Sequence, residues 1–225
     1  MNNSEFIIHE LTTKSGGIFK SGIMSILDKL KLKIIKVPGD GSCQYHAVLK
    51  STQISLPHRS LEDKKLYNNI KHLRNLTYKY LTKYRNRYEN FINDMSFKKY
   101  TKGVKTYEYG DEITLEIIAN ILRVNIVVLS EISNNKTLFV VHRPRNYIVN
   151  DYIYIKLTQN LEDDNASHYD ALVPKSYLNP DANEYTPTNP TNNTPKNHQK
   201  RKNSHTSEFI VLLPILIVIF VFASN

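Results

Sequence analysis

Residues 38–47 read Pro38-Gly39-Asp40-Gly41-Ser42-Cys43-Gln44-Tyr45-His46-Ala47. Five turn-forming residues end at Cys43, and Cys43 to Thr52 then follows helical spacing. That junction has chemical weight. A helix N-terminus carries partial positive charge and unpaired backbone N–H groups, and both favour thiolate over thiol. The small residues Gly39, Gly41 and Ser42 let the backbone bend until several N–H groups point at one spot. A carbonyl attacked by the sulfur would develop its oxyanion there. A thiolate beside such a hole is what acyl transfer needs. Cys43 is the one cysteine among 225 residues. A single cysteine excludes an internal disulfide framework and a cysteine-rich zinc module, and it fits a reducing compartment.

A nucleophilic thiol needs a base, and the chain has eight histidines. His168 stands in Ser167-His168-Tyr169-Asp170. On an extended strand residues i and i+2 share a face, so Asp170 reaches the ring nitrogen of His168 that faces away from the sulfur. His46 is the rival, three residues after Cys43, with no acid evidently poised for it. His142, beside Arg143, reads as strand surface. His198 and His205 fall in a polar tail. Taken alone, a lone cysteine and a distant His-x-Asp also fit an inert core thiol.

Outward from the loop, Lys33 to Val37 (KIIKV) reads as a short strand, and Phe19, Ile23, Ile26, Leu27 and Leu30 as one helix face. Leu66, Ile70, Leu73, Thr77, Tyr80, Tyr84, Tyr88 and Phe91 make a stripe at steps of three and four, a helix or helix pair over about 61–93 whose stripe is core. Thr106 to Glu112 reads as a loop and Ile113 to Leu122 as an amphipathic helix. Val124 to Ser130 (VNIVVLS) is a buried strand. A hairpin turn at Asn134-Asn135 leads to strands at 137–142, 152–157 and 168–173. Helices come first and strands cluster late. The expected class is α+β, with helices packed on a mostly antiparallel sheet.

The formal net charge is +9. Residues 59–105 alone hold thirteen Lys and Arg against four acids. This reads as a solvated basic face, with attraction to an anionic membrane as the functional alternative. No nucleic-acid motif accompanies it, so nucleic acid is not an expected partner.

Residues 38–47 resemble the cysteine box of the ovarian tumour (OTU) family of cysteine proteases. Tyr109-Gly110-Asp111-Glu112-Ile113 with the following helix and strand resembles that family's middle block, and His168-Tyr169-Asp170 its histidine box. The blocks come in the family's order and cover roughly 27–174. The resemblance implies a cysteine-type deubiquitinase, a thiol isopeptidase acting on ubiquitin or ubiquitin-like conjugates, with no metal or organic cofactor. It implies Cys43 as nucleophile, His168 as base and then acid, and Asp170 as the orienting acid. The loop Asp40, Gly41, Ser42 would supply the oxyanion hole, Asp40 holding its shape. Tyr109, Gly110, Asp111, Glu112, Asn165 and Tyr169 would flank a channel for a diglycine tail. Acids there, Asp111, Glu112, Glu162, Asp163 and Asp164, are placed to pair with substrate arginines, or else simply solvate a loop. Four positions depart from the family pattern: His46 for arginine, Gln44 for an apolar residue, Tyr109 for tryptophan and Asp111 for glycine. The alternatives are a ubiquitin-binding module of weak activity and a cysteine protease for another protein.

The ends set the expected organisation. Residues 1–17 form a polar segment without a secretory signal pattern, and 18–178 the OTU-like catalytic domain. Residues 179–208 make an Asn- and Pro-rich linker too polar to offset its ordering entropy. Residues 209–223 (FIVLLPILIVIFVFA) carry no charge. As a helix they span roughly 22 Å, short of the roughly 30 Å hydrocarbon core. They read as a single-pass C-terminal tail anchor. Lys196, Lys200, Arg201 and Lys202 before it favour a cytosolic catalytic domain. The expected state is a monomer on a membrane, with the endoplasmic reticulum preferred.

Overall fold

The computed structural model describes residues 3–62, 64–67, 69–92, 95–106, 110–132, 135–159 and 167–177. All fall in one unit, Met1–Leu178. The linker expected at 179–208 and the anchor at 209–223 lie outside the described residues. Among the described residues no helix is long and apolar enough to cross a membrane.

The chain opens with α1 (Asn3–Thr13), β1 (Gly16–Phe19), α2 (Ile23–Lys29) and β2 (Leu32–Ile35). Next come α3 (Cys43–Ser55), α4 (Pro57–Glu62), α5 (Lys64–Tyr67), α6 (Ile70–Lys83) and α7 (Arg85–Tyr88), ending in a 3-10 turn, Glu89–Phe91. Then follow α8 (Phe97–Lys105), α9 (Glu112–Leu122), β3 (Asn125–Ile132), β4 (Lys136–His142), β5 (Tyr152–Thr158) and β6 (His168–Pro174). The strands form one six-stranded sheet in the order β1-β4-β3-β5-β6-β2. Among the described strands, only β3 and β5 pair in parallel. The α+β, mostly antiparallel expectation therefore describes this molecule.

The apolar run Ile126 to Leu129 in β3 has a direct cause: the sheet is covered on both faces. Ile126 and Val128 face a core built with α3 and α9. Val127 and Leu129 face a second core made by α1 and α2. Strand alternation sends every other residue to each. A third cluster joins Leu81 of α6, Tyr88, Val104 of α8 and Ile117 of α9.

Three expectations need correction. Phe19 lies on β1, not on a helix; its ring stacks on Phe139 at 4.7 Å, and pairing with β4 overrides the helical spacing it shares with Ile23. The polar segment 1–17 includes α1, whose Ile7 and Leu11 are buried in the same core as Phe19, so the fold does not start at 18. The stripe over 61–93 is broken into several helices, its buried line runs through Leu81, and Phe91 at its end is exposed.

Candidate active site

Cys43 is the first residue of α3 and is buried, 3 % exposed. Helix α3 lies along β6. Two turns beyond Cys43, the Ser51 hydroxyl donates to the Leu172 carbonyl at 3.0 Å and fixes the helix on that strand. Strand β6 opens with His168. Its Nε2 lies 3.2 Å from Asp170 Oδ1, the i, i+2 contact that a strand provides. Asp170 is 0 % exposed. Its Oδ1 also accepts the Val37 N–H at 3.3 Å, and its Oδ2 accepts the Lys36 ammonium at 2.8 Å. A carboxylate only accepts, so Nε2 is the donor and Nδ1 keeps the lone pair. That Nδ1 faces the loop leading into Cys43: a Cβ placed on Gly39 would sit 3.8 Å from it.

The loop itself is tightly held. Gly41 has φ 79°, in the left-handed region that glycine adopts without a side-chain clash. Asp40 Oδ1 accepts the Ser42 N–H at 2.9 Å, and Asp40 Oδ2 lies 3.0 Å from His46 Nε2. Burial pushes the Asp40 carboxyl up, but the hydrogen bonds from His46 and the Ser42 N–H outweigh this and hold it below its ordinary value. His46 therefore does have an acid, contrary to the sequence reading; it sits six residues back, across the loop. Asp40 thus bridges the loop to the first turn of α3. The Ser42 N–H is already donated to it, so of the Asp40, Gly41, Ser42 set this donor is engaged inside the loop.

The middle block converges on the same place. Asp111 is the N-cap of α9 in a reciprocal box: its Oδ1 accepts the Thr114 N–H at 2.9 Å, and Thr114 Oγ1 accepts the Asp111 N–H at 2.8 Å. The Tyr100 hydroxyl donates to the same carboxylate at 2.7 Å. Oδ1 of Asp111 thus caps α9, while its Oδ2 takes the Tyr100 hydroxyl from α8. Gln44 locks this turn to α3. Its Nε2 donates to the Asp111 carbonyl at 3.1 Å, and its Oε1 accepts from Thr114 Oγ1 at 2.7 Å. A Cβ on Gly110 would fall 2.0 Å from Gln44 Oε1, so any side chain there must displace the Gln44 amide. Glu112 Oε2 lies 2.9 Å from His142 Nε2. Against an opposing desolvation cost, the nearby His142 holds the Glu112 carboxyl below its ordinary value, although the Glu112 side chain is 61 % exposed and the contact lacks hydrogen-bond geometry. His142 is accordingly not ordinary strand surface but a buried partner of that acid. Tyr169 is buried beside Gln44 on the strand face opposite His168. Burial and the nearby carboxylate of Glu112 push its hydroxyl pKa up, keeping it a neutral phenol. Tyr109, Asn165 and the acids at 162–164 lie outside the described residues.

A family model described as OTU-like cysteine protease matches residues 38–169, from the Pro38 turn to the Tyr169 strand. The chain belongs to this family. The OTU-like chain is 28 % identical over 151 residues to the Arabidopsis thaliana protein named OVARIAN TUMOR DOMAIN-containing deubiquitinating enzyme 10. The match covers 67 % of the chain and 36 % of that relative, so the chain spans about a third of the relative's length. Among solved structures it is similar to the OTUD1 OTU domain, with TM-score 0.49 and 18 % identity over 66 % of this chain and 89 % of that one. It is also similar to an OTU deubiquitinase from Wolbachia pipientis wMel bound to ubiquitin, with TM-score 0.48 and 15 % identity over 64 % and 97 % of the two chains.

Two residues of the OTU-like site escape a reading of the sequence. Lys36 is the fourth residue of the KIIKV segment, and only the β2–β6 pairing brings it to Asp170. The signal available was its position one residue before Val37, at the mouth of the loop. Arg74 looks like one more base in a basic helix, yet it is 2 % exposed and bonded to the loop before Cys43. Its place beside Leu73 and one turn from Thr77, inside the apolar stripe, was the available signal.

Proposed function

We propose that this chain is a thiol isopeptidase that removes ubiquitin or a ubiquitin-like protein from conjugates, with Cys43, His168 and Asp170 as its catalytic set. The observation that carries this reading is the orientation of His168: one ring nitrogen on a fully buried carboxylate, the other facing the loop that ends at Cys43. His168 Nδ1 takes the proton from Cys43 Sγ, and the sulfur attacks the carbonyl carbon of the modifier's terminal glycine. The oxyanion is met by backbone N–H groups of the loop and of the first turn of α3, which have no intrahelical acceptors. Collapse breaks the C–N bond to the lysine amine, and His168 returns the proton to that nitrogen. A water, deprotonated by His168, then attacks the thioester carbon and releases Cys43 as thiol. Asp170 holds the imidazole in the tautomer that presents Nδ1 and stabilises the imidazolium between the steps.

Family membership and a relative named as a deubiquitinating enzyme support ubiquitin as the modifier. In this reading the turn at Gly110 and Tyr169 would flank a narrow channel for a Gly-Gly tail. The uncharged 209–223 segment would hold the domain at a membrane, through a linker of roughly 30 residues with reach on the order of 30 Å. That tether raises its local concentration near conjugates on the same surface.

The test is labelling of the full chain in detergent by ubiquitin bearing a C-terminal thiol-reactive warhead. An adduct forms on the wild type and is absent from Cys43→Ala; His168→Ala slows it severely. Non-covalent ubiquitin binding without an adduct would identify a binding module instead. Deleting 209–225 leaves cleavage of soluble ubiquitin chains unchanged and releases the protein from membranes. Loss of soluble activity on deletion would show that this segment belongs to the domain.

A further inference from the structure

Arg74 sits on α6, thirty-one residues beyond the nucleophile in sequence, yet its guanidinium reaches the loop that precedes Cys43. Its Nη2 donates to the Gly41 carbonyl at 2.9 Å and to Ser42 Oγ at 3.0 Å. Its Nε adds a longer contact to the same hydroxyl, 3.3 Å. Its Nη1 donates to the Val104 carbonyl on α8 at 3.0 Å, and the plane lies over the Tyr45 ring at 4.2 Å. Tyr45 is fully buried, and burial pushes its hydroxyl pKa up to about 12, so a neutral ring carries the cation.

The consequence lies in what Arg74 does to two groups. First, the Gly41–Ser42 peptide is gripped at both ends: Arg74 holds its C=O, and Asp40 holds its N–H at 2.9 Å. A trans peptide plane held at both polar atoms cannot rotate, and Gly41, at φ 79°, is the residue with the most freedom to let it turn. Second, Ser42 is the N-cap of α3, but its side chain makes no capping bond. A serine there ordinarily accepts an N–H from the first turn. Here the hydroxyl is turned to Arg74 instead, which leaves the first-turn N–H groups without the Ser42 side-chain acceptor.

We propose that Arg74 is a positioning residue for the thiol chemistry, its forked guanidinium clamping the Gly41–Ser42 peptide and drawing the Ser42 hydroxyl off the end of α3, so that the oxyanion-binding N–H groups stay aimed and unoccupied. This rests on Cys43 being the nucleophile. The fork is essential to the claim: lysine keeps the charge but delivers it as a point and cannot hold two acceptors in a plane.

The test is steady-state hydrolysis of ubiquitin carrying a fluorogenic C-terminal amide by the full chain in detergent, with thermal unfolding measured alongside. Arg74→Lys stays folded and loses kcat by about tenfold with KM little changed, because a misaimed donor set acts on the transition state. Arg74→Ala loses about 100-fold in kcat, the scale of a lost oxyanion donor. Added guanidinium, below denaturing concentration, restores part of the Arg74→Ala loss and does nothing for Cys43→Ala. Arg74→Lys with wild-type kcat overturns the inference, as does a loss that appears in KM alone. If Arg74→Ala fails to fold, Arg74→Lys decides. A wild-type chain without turnover overturns the deubiquitinase reading itself, whereas an active wild type with an equally active Arg74→Lys overturns only the role of Arg74.

Discussion

Two histidine–aspartate pairs flank the same cysteine. His168 Nε2 stands 3.2 Å from Asp170, and His46 Nε2 stands 3.0 Å from Asp40. By distance they are equivalent. By environment they are not. The Asp170 side chain is 0 % exposed and receives the Val37 N–H and the Lys36 ammonium, while that of Asp40 is 50 % exposed at the edge of a loop. The first pair is set by strand geometry, on neighbouring positions of one face. The second joins a loop to the first turn of α3. A hydrogen bond out of water is stronger and its geometry more fixed than one in contact with solvent. The buried pair is suited to orient a base during proton transfer. The exposed pair is suited to hold the shape of the loop.

The largest effect should come from separating the two acids. Asp170→Asn keeps the shape but offers an amide where the imidazolium needs a carboxylate, while the Lys36 ammonium, 76 % exposed, stays hydrated. Turnover should fall on the order of 1000-fold, with the fold intact by circular dichroism, by analogy with the orienting acid of a serine protease triad. Asp40→Asn should cost less than about tenfold, because the amide oxygen still accepts the Ser42 N–H. Equal losses in the two variants would erase the distinction. A greater loss in Asp40→Asn would make Asp40 the acid that serves the base.

Both pairs show what a sequence reveals. The His168–Asp170 contact was legible because strand periodicity alone puts i and i+2 on one face. The buried β3 was legible because the β-branched, near-continuous apolar run Ile126 to Leu129, bounded by polar residues, fits a strand covered on both sides. The partner of His46 was not, because its approach depends on the left-handed turn at Gly41 folding Asp40 back over the helix. Helix α8 escaped notice because its buried side, Thr101, Gly103 and Val104, offers one branched apolar residue among lysines. Ser96 caps it, accepting the Lys99 N–H at 3.3 Å, and packing against α6 supplies the rest. Arg74 escaped for the opposite reason: a charged residue reads as surface unless its partners are known, and those partners are backbone carbonyls and a hydroxyl thirty residues away.

A smaller effect sharpens the role of the rigid side of the site. Gln44, buried and bonded at both ends of its amide, leaves no room for a Cβ on Gly110. Gly110→Ala should destabilise by about 1–3 kcal/mol, the scale of overpacking a filled core. Adding Gln44→Ala should recover part of that, since the two changes share one contact and should couple by about 0.5–3 kcal/mol. Strict additivity in a denaturant-unfolding cycle would mean that the turn at 110–111 does not depend on Gln44. The Asp111 cap would then be held by Thr114 and Tyr100 alone.

The smallest effect concerns the exposed pair and acid. The Asp40 carboxyl is held below its ordinary 3.8, with burial opposing and the bonds from His46 and the Ser42 N–H prevailing. A carboxyl lowered on folding stabilises the folded loop wherever it is ionised. Its contribution is complete above the ordinary carboxylate range and is lost as pH falls through the folded-state value. Carbon NMR titration of the Asp40 carboxyl should therefore give a midpoint below 3.8 in the wild type. In His46→Ala the midpoint should rise, because the hydrogen bond and the charge of the imidazole are both removed while the Ser42 N–H remains. An unmoved midpoint in His46→Ala would mean that the backbone donor alone sets Asp40. The exposed histidine–aspartate pair would then be a neighbourly contact without energetic weight, and the contrast with the buried pair would be sharper still.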